Sequence, residues 1–215
     1  SETNTIIIKE RTYEYLDAVV GKIDYDVIRF DSEHDMKGMA NATLDLTTKD
    51  LNMVGVSKIQ VSDSQNVVFY PRGSQLTMSK NRDFQFDGVI EAGLFTFYGC
   101  GFDFNYENFK INLQNVDSLK IKVKSFKENQ YGIKDYVQIK NSIEHVTGDI
   151  LIDDPNNKSS IKDFPQYPIF NSKQTSYVYY DYPSIYNKVY DRNKFYYKVD
   201  PFSIDSVNDF STRSE

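Results

Sequence analysis

Apolar and polar residues alternate with period two along most of this chain, and no other feature constrains its fold as tightly. Ala42, Leu44 and Leu46 take one parity, and Thr43, Asp45 and Thr47 the other. Leu119, Ile121 and Val123 alternate with Lys120, Lys122 and Lys124. Phe102, Phe104 and Tyr106 alternate with Asp103, Asn105 and Glu107, and Val137/Ile139 and Ile150/Ile152 repeat the pattern. Successive side chains of a strand point to opposite faces. Each segment therefore reads as a strand with one face in a core and one in water. An all-β fold with little helix follows.

The stretch from Phe84 to Leu113 says more, because its parity changes. Phe84, Phe86, Ile90 and Leu94 share one parity; after Gly93, Phe95 and Phe97 take the other. Phe102 to Tyr106 flips back, and Phe109, Ile111 and Leu113 flip again. A core-facing strand changes parity only through a turn, bulge or bend. The flips fall near Gly93, at Gly99-Cys100-Gly101 and at Glu107-Asn108, residues that supply the backbone freedom corners need. Two architectures fit: a β-solenoid-like stack of short strands, or an antiparallel β-sandwich. The corners are short and lack hairpin pairs of the Asn-Gly or Asp-Gly type, apart from Asp87-Gly88, which favours the solenoid. The one helix candidate, Tyr13 to Val20 between Thr12 and Gly21, reads equally well as a strand.

With 215 residues the chain can bury a core in one or two domains. The run Asp153-Asp154-Pro155-Asn156-Asn157-Lys158, followed by Pro165 and Pro168, is a loop signal. It divides a main β domain, 1–152, from a tyrosine-rich β extension, 153–215, expected on the same core. Phe109-Lys110-Ile111 and Val116-Asp117-Ser118-Leu119 echo Tyr197-Lys198-Val199 and Ile204-Asp205-Ser206-Val207 at one common offset, which reads either as a repeat or as strands of like composition.

The net charge of -6 argues against nucleic acid as a partner. No apolar run reaches the ~18 residues of a membrane-spanning helix, so no membrane insertion is expected of this segment. The lysine face of residues 120, 122 and 124 reads as a solvated edge. The single cysteine, Cys100, allows no internal disulfide and suits a tight corner. Only His34 and His145 could serve as imidazole bases, and no nucleophile elbow surrounds any serine, so no catalytic residue is assigned. One Cys and two distant His make no zinc site. Asp153-Asp154-Pro155-Asn156-Asn157 offers oxygen ligands without EF-hand spacing and reads as a turn. No metal and no cofactor is expected.

The tyrosines are the remaining candidates. Tyr177 and Tyr179 share one parity, and Tyr180 and Tyr182 the other, so one pair should pack inward. Exposed rings stack on sugar faces, which makes Tyr179, Tyr180 and Tyr182 the candidate ligand-binding residues. Tryptophan, the preferred platform, is absent.

Several runs carry a resemblance: Val61-Ser62-Asp63-Ser64-Gln65, Lys80-Asn81-Arg82-Asp83-Phe84, and Gly88 through Ala92-Gly93 to Phe97-Tyr98-Gly99. Pro165 to Ser172, Ser176 to Asp181 and Asp200-Pro201-Phe202 before Ile204-Asp205-Ser206 extend it. From about Val27 onward the chain resembles a segment of very large, uncharacterised, β-strand-rich proteins of Bacteroidota, presumed exported or surface-associated. The resemblance implies an internal piece of a long protein, extracellular or at the cell surface. The opening Ser1-Glu2-Thr3-Asn4 and the polar tail Ser211 to Glu215 agree with excision boundaries. No activity and no functional residue comes with it. The expected function is a structural or interaction module without catalysis, partnered by neighbouring modules of the same large chain. A carbohydrate-binding module using the tyrosines is the alternative, which would add glycans as partners, and a glycan-active enzyme domain comes third.

Overall fold

The computed structural model describes residues 5–8, 31–32, 42–45, 47–182 and 189–206. Helix candidate Tyr13 to Val20, together with His34 and Leu46, lies outside them. The first strands are β1 (Thr5–Ile8), β2 (Asp31–Ser32), β3 (Ala42–Asp45), β4 (Leu51–Val54), β5 (Val56–Ser62), β6 (Val67–Pro71) and β7 (Gln75–Met78). Three long strands follow, β8 (Phe84–Ala92), β9 (Phe95–Asn105) and β10 (Lys110–Glu128). The rest are β11 (Lys134–Gln138), β12 (Ile143–Glu144), β13 (Val146–Leu151), β14 (Ile169–Ser172), β15 (Ser176–Tyr179), β16 (Tyr196–Val199) and β17 (Ser203–Ile204). A 3₁₀ turn at Arg72–Ser74 is the one helical element among the described residues. The fold is all-β, and every described pairing is antiparallel.

The long strands sit at the centre because each exposes two edges to several partners. β8 pairs along one edge with β9; its other edge serves β7 at Phe84 and Gln85, then β6 from Gly88 to Ala92. β10 pairs with β9 on one side and takes β13, β12 and β11 in turn on the other. The sheet therefore spreads into two wings. One runs β1-β3-β4-β7-β8-β9-β10-β13-β14-β17, and the other β2-β5-β6-β8-β9-β10-β12-β15-β16.

The register of the first wing explains the alternation. One row crosses nine strands as Leu44, Leu51, Met78, Phe84, Phe104, Ile111, Ile150, Phe170 and Ile204. The next row, one residue along, is Thr43, Asn52, Thr77, Gln85, Asp103, Asn112, Asp149, Asn171 and Ser203. The apolar row faces the core, and its last six members are buried. A one-residue slip of any strand would exchange its contribution between the two rows, so each strand's register is held by burial. The polar row bonds along itself. Thr77 Oγ1 donates to Asn52 Oδ1 at 2.7 Å, Asn171 Nδ2 to Asp149 Oδ1 at 3.0 Å and Ser203 Oγ to Asn171 Oδ1 at 2.7 Å.

The wings meet along a fold line where Gly88 pairs with Gly99. β9 carries an extra residue there, since Phe86 and Gly88 pair with Phe102 and Gly99. Gly101, at φ 65°, completes the bulge. Inward-facing residues of β9 are thus odd-numbered before it (Phe95, Phe97) and even-numbered after it (Phe102, Phe104), all at most 3% exposed. The expected corner is a bulge inside one continuous strand. The flips at Gly93 and at Glu107-Asn108 are hairpin turns, and Asp87-Gly88 lies within β8. Bending brings the inner faces together. Phe69 of β6 stacks on Phe86 (5.1 Å, 23°) and meets Phe84 and Phe104 edge-on, and Phe170 of β14 packs against Phe95 and Phe97.

Beyond residue 153, Phe170 and Ile204 enter this same core. The echoed segments differ: 110–128 is one strand, whereas 196–204 forms two short strands with different partners. Two sequence expectations are corrected. At Lys120 and Lys122 β10 is bonded on both sides, so these two occupy an outer face rather than an edge, whereas Lys124 is paired with β11 alone. Val137, expected to face a core, is 46% exposed on β11, whose partners on β10 lie beyond the end of the β9 pairing at Ile121.

Candidate functional site

β15 sits between β12 and β16, and the pairing sets which side chains share its surface. Glu144 faces Tyr177, which faces Lys198, and Tyr179 faces Tyr196. Tyr177 and Tyr179, two residues apart, stack at 6.0 Å and 19°. Tyr196 meets Tyr177 edge-on at 5.5 Å and lies tilted to Tyr179 at 6.2 Å. His145, at the β12–β13 junction with φ 59°, packs edge-on to both Tyr177 and Tyr179.

Arg192 closes the cluster. Its guanidinium carbon lies 4.1 Å from the Tyr179 ring centre, a cation–π distance. Its nitrogens bond Glu144 Oε2 and Asp181 Oδ2, each at 3.1 Å. Partial burial alone would lower the Arg192 pKa, but Glu144 and Asp181 outweigh it and raise it. The Tyr179 phenol is also raised: partial burial leads, Glu144, Tyr177 and Tyr196 add to it, and Arg192 opposes. Both groups keep their neutral-pH charge state, so neither is set up as an acid or a base.

The three tyrosines singled out by sequence thus have different fates. Tyr179 is stacked on Tyr177 and capped by Arg192. Tyr180 packs edge-on to Phe195 at 5.4 Å, and Phe195 stacks on Tyr190. Tyr182 donates to Glu144 Oε1 at 3.2 Å, and its hydroxyl shares a 2.9 Å hydrogen bond with Ser142. No pair packs into the main core; all four of Tyr177, Tyr179, Tyr180 and Tyr182 are half-buried. Arg192 and Glu144 were not foreseen as partners.

The other candidates resolve as structure. Asp153, 1% exposed, accepts Asp154 N at 2.7 Å and Asn157 Nδ2 at 2.9 Å. Asn157 in turn bonds Lys162 through both its amide atoms. The oxygens that might bind a cation are committed to the turn. Among the described residues no group of three or more His, Cys, Asp or Glu side chains is placed to hold a metal. Cys100 is half-buried in the β9 bulge. The described contacts of His145 are the rings of Tyr177 and Tyr179.

A second surface stands out that the alternation did not foresee. β11 and the last turn-ward residues of β10 form a two-stranded arm, Lys122 pairing with Gln138 and Glu128 with Lys134. All of β11 is exposed. Phe126 (52%), Tyr131 (76%), Ile133 (59%), Tyr136 (49%) and Val137 (46%) gather apolar surface there. Asn129 organises the tip, its Oδ1 accepting Tyr131 N at 2.9 Å and Ile133 N at 3.1 Å. A single exposed apolar residue means little, but five on one short ribbon, spread over its two faces, are a concentration of exposed apolar surface.

No family model, no curated protein and no solved structure matches the chain.

Proposed function

We propose that this chain is a non-catalytic interaction module of a larger exported or cell-surface protein, and that its contacts are made by the β10–β11 arm. The carrying observation is the exposure of Phe126, Tyr131, Ile133, Tyr136 and Val137 on an element outside the core. Beyond the buried Val123 these side chains are not packed into their own fold, and aromatic side chains of this kind anchor interfaces. The tyrosine cluster supports sugar binding less well, since the Tyr179 ring is already used by Tyr177 and Arg192. Of the two architectures open from the sequence, the consistently antiparallel pairing supports a sandwich of two wings sharing β8, β9 and β10.

The test is oxidative footprinting of the parent protein on cells and of the isolated segment. Tyr131 and Tyr136 should react readily in the segment and be at least fivefold protected in the parent. Equal reactivity in both settings would remove the proposal.

A further inference from the structure

Resting on the module reading above, we propose that the arm docks on the acidic outer sheet face of a second copy of this chain, head to tail. Residues 120–140 hold six lysines against Glu128 and Asp135, a net +4 in a chain of net -6, so the remaining residues carry -10. The basic charge thus coincides with the apolar arm: Lys122, Lys127 and Lys134 are exposed beside Phe126 and Ile133.

The complementary surface lies on the outer face of the first wing. The polar row contributes Asp103; Asp149 in the same row is buried and paired with Lys173. In the rows on either side of it, Asp50 pairs with Asp45 at the β3–β4 turn, and Asp87 projects from β8. Lys110 and Lys173 are the cations beside these rows, Lys173 being bound to Asp149 at 2.7 Å, and Lys49 adds a third in the β3–β4 turn. Val54, 46% exposed and paired with Gln75, adds apolar surface to this acidic face. Opposite potentials on two patches of one chain attract between copies and repel like patches. The arm and the face are different surfaces, so the contact is heterologous and propagates rather than closing as a two-fold dimer. An end-to-end series of modules has that geometry.

Sedimentation velocity on the purified chain tests this. At low salt, where charges are screened least, the wild-type chain should associate with rising concentration, and about 0.5 M salt should weaken association at least tenfold. K122E/K127E/K134E, all at exposed positions, should be monomeric, and so should D87K/D103K. Mixed in equal amounts, these two variants should associate again, because the unchanged arm of one meets the unchanged face of the other and the two reversed patches are themselves of opposite charge. Circular dichroism melts check that both variants fold; if D87K/D103K does not, Asp50→Lys replaces it. A wild-type monomer at every salt and concentration, or charge-reversed variants that associate as wild type does, would overturn the proposal. If the arm is protected in the parent protein while the isolated chain stays monomeric, the partner assignment fails and the module reading stands. If the chain associates but the arm is unprotected in the parent, the module reading fails.

Discussion

Replacing Gly99 by valine is expected to leave the chain unable to fold. A β-carbon at Gly99 would overlap the carbonyl oxygen of Asn115 and approach Val116 Cα to 3.0 Å and the Phe102 ring to 3.1 Å. The obstacle is paired backbone, which cannot give way as a flexible side chain can. Gly88 opposite is held as tightly, at φ 148° and with its missing β-carbon's place taken by the carbonyl oxygen of Tyr70. Both wings hinge on this pair, so relief would require separating β8, β9 and β10. Overpacking of a well-packed interior costs about 1–3 kcal/mol. Added backbone displacement should bring the loss to about 4 kcal/mol or more, a large part of a domain's total stability. Urea unfolding followed by circular dichroism should show no native baseline for Gly99→Val. A variant within about 1 kcal/mol of wild type would mean that the wings are not joined here.

Phe69→Ala should be the most costly truncation. The ring is fully buried and touches Phe84, Phe86 and Phe104, from both wings' contributions to β8 and β9. Phe-to-Ala changes in cores cost about 3–5 kcal/mol through lost transfer energy and the cavity left behind. Three aromatic contacts place this site at the upper end. Phe69→Leu should recover about half of the loss by refilling the space. Equilibrium unfolding of the three proteins measures it, and a loss below about 2 kcal/mol for Phe69→Ala would show that the wings do not close over this ring.

Much of this was readable from residue order, and the reason is local. Parity depends only on neighbours along the chain, so the opposed sets Phe95/Phe97 and Phe102/Phe104 announced a break at Gly99-Cys100-Gly101 without any knowledge of partners. Whether that break was a corner or a bulge depends on whether pairing continues past it, which is decided by β8 and β10. The same dependence hid the arm. Lys120 to Val123 alternate as a core strand should, and nothing local says that β10 outruns its core near Ser125. At the tyrosines, residue order singled out a segment but not the partners its side chains have. Arg192 reaches Glu144 only because β12 and β15 pair, a contact spanning 48 positions. The strongly legible features are therefore those fixed by period two, and the illegible ones are those fixed by long-range pairing.

Side-chain oxidation of the native chain, read residue by residue from Phe95 to Tyr106, bears on all of this at once. Inward rings of opposite parity on a single strand require the bulge and the two-winged core together. Phe95, Phe97, Phe102 and Phe104 should all be protected, while Tyr98 and Tyr106 react and Tyr131 reacts fastest. Reaction of either Phe97 or Phe104 at a rate near that of Tyr131 would contradict it.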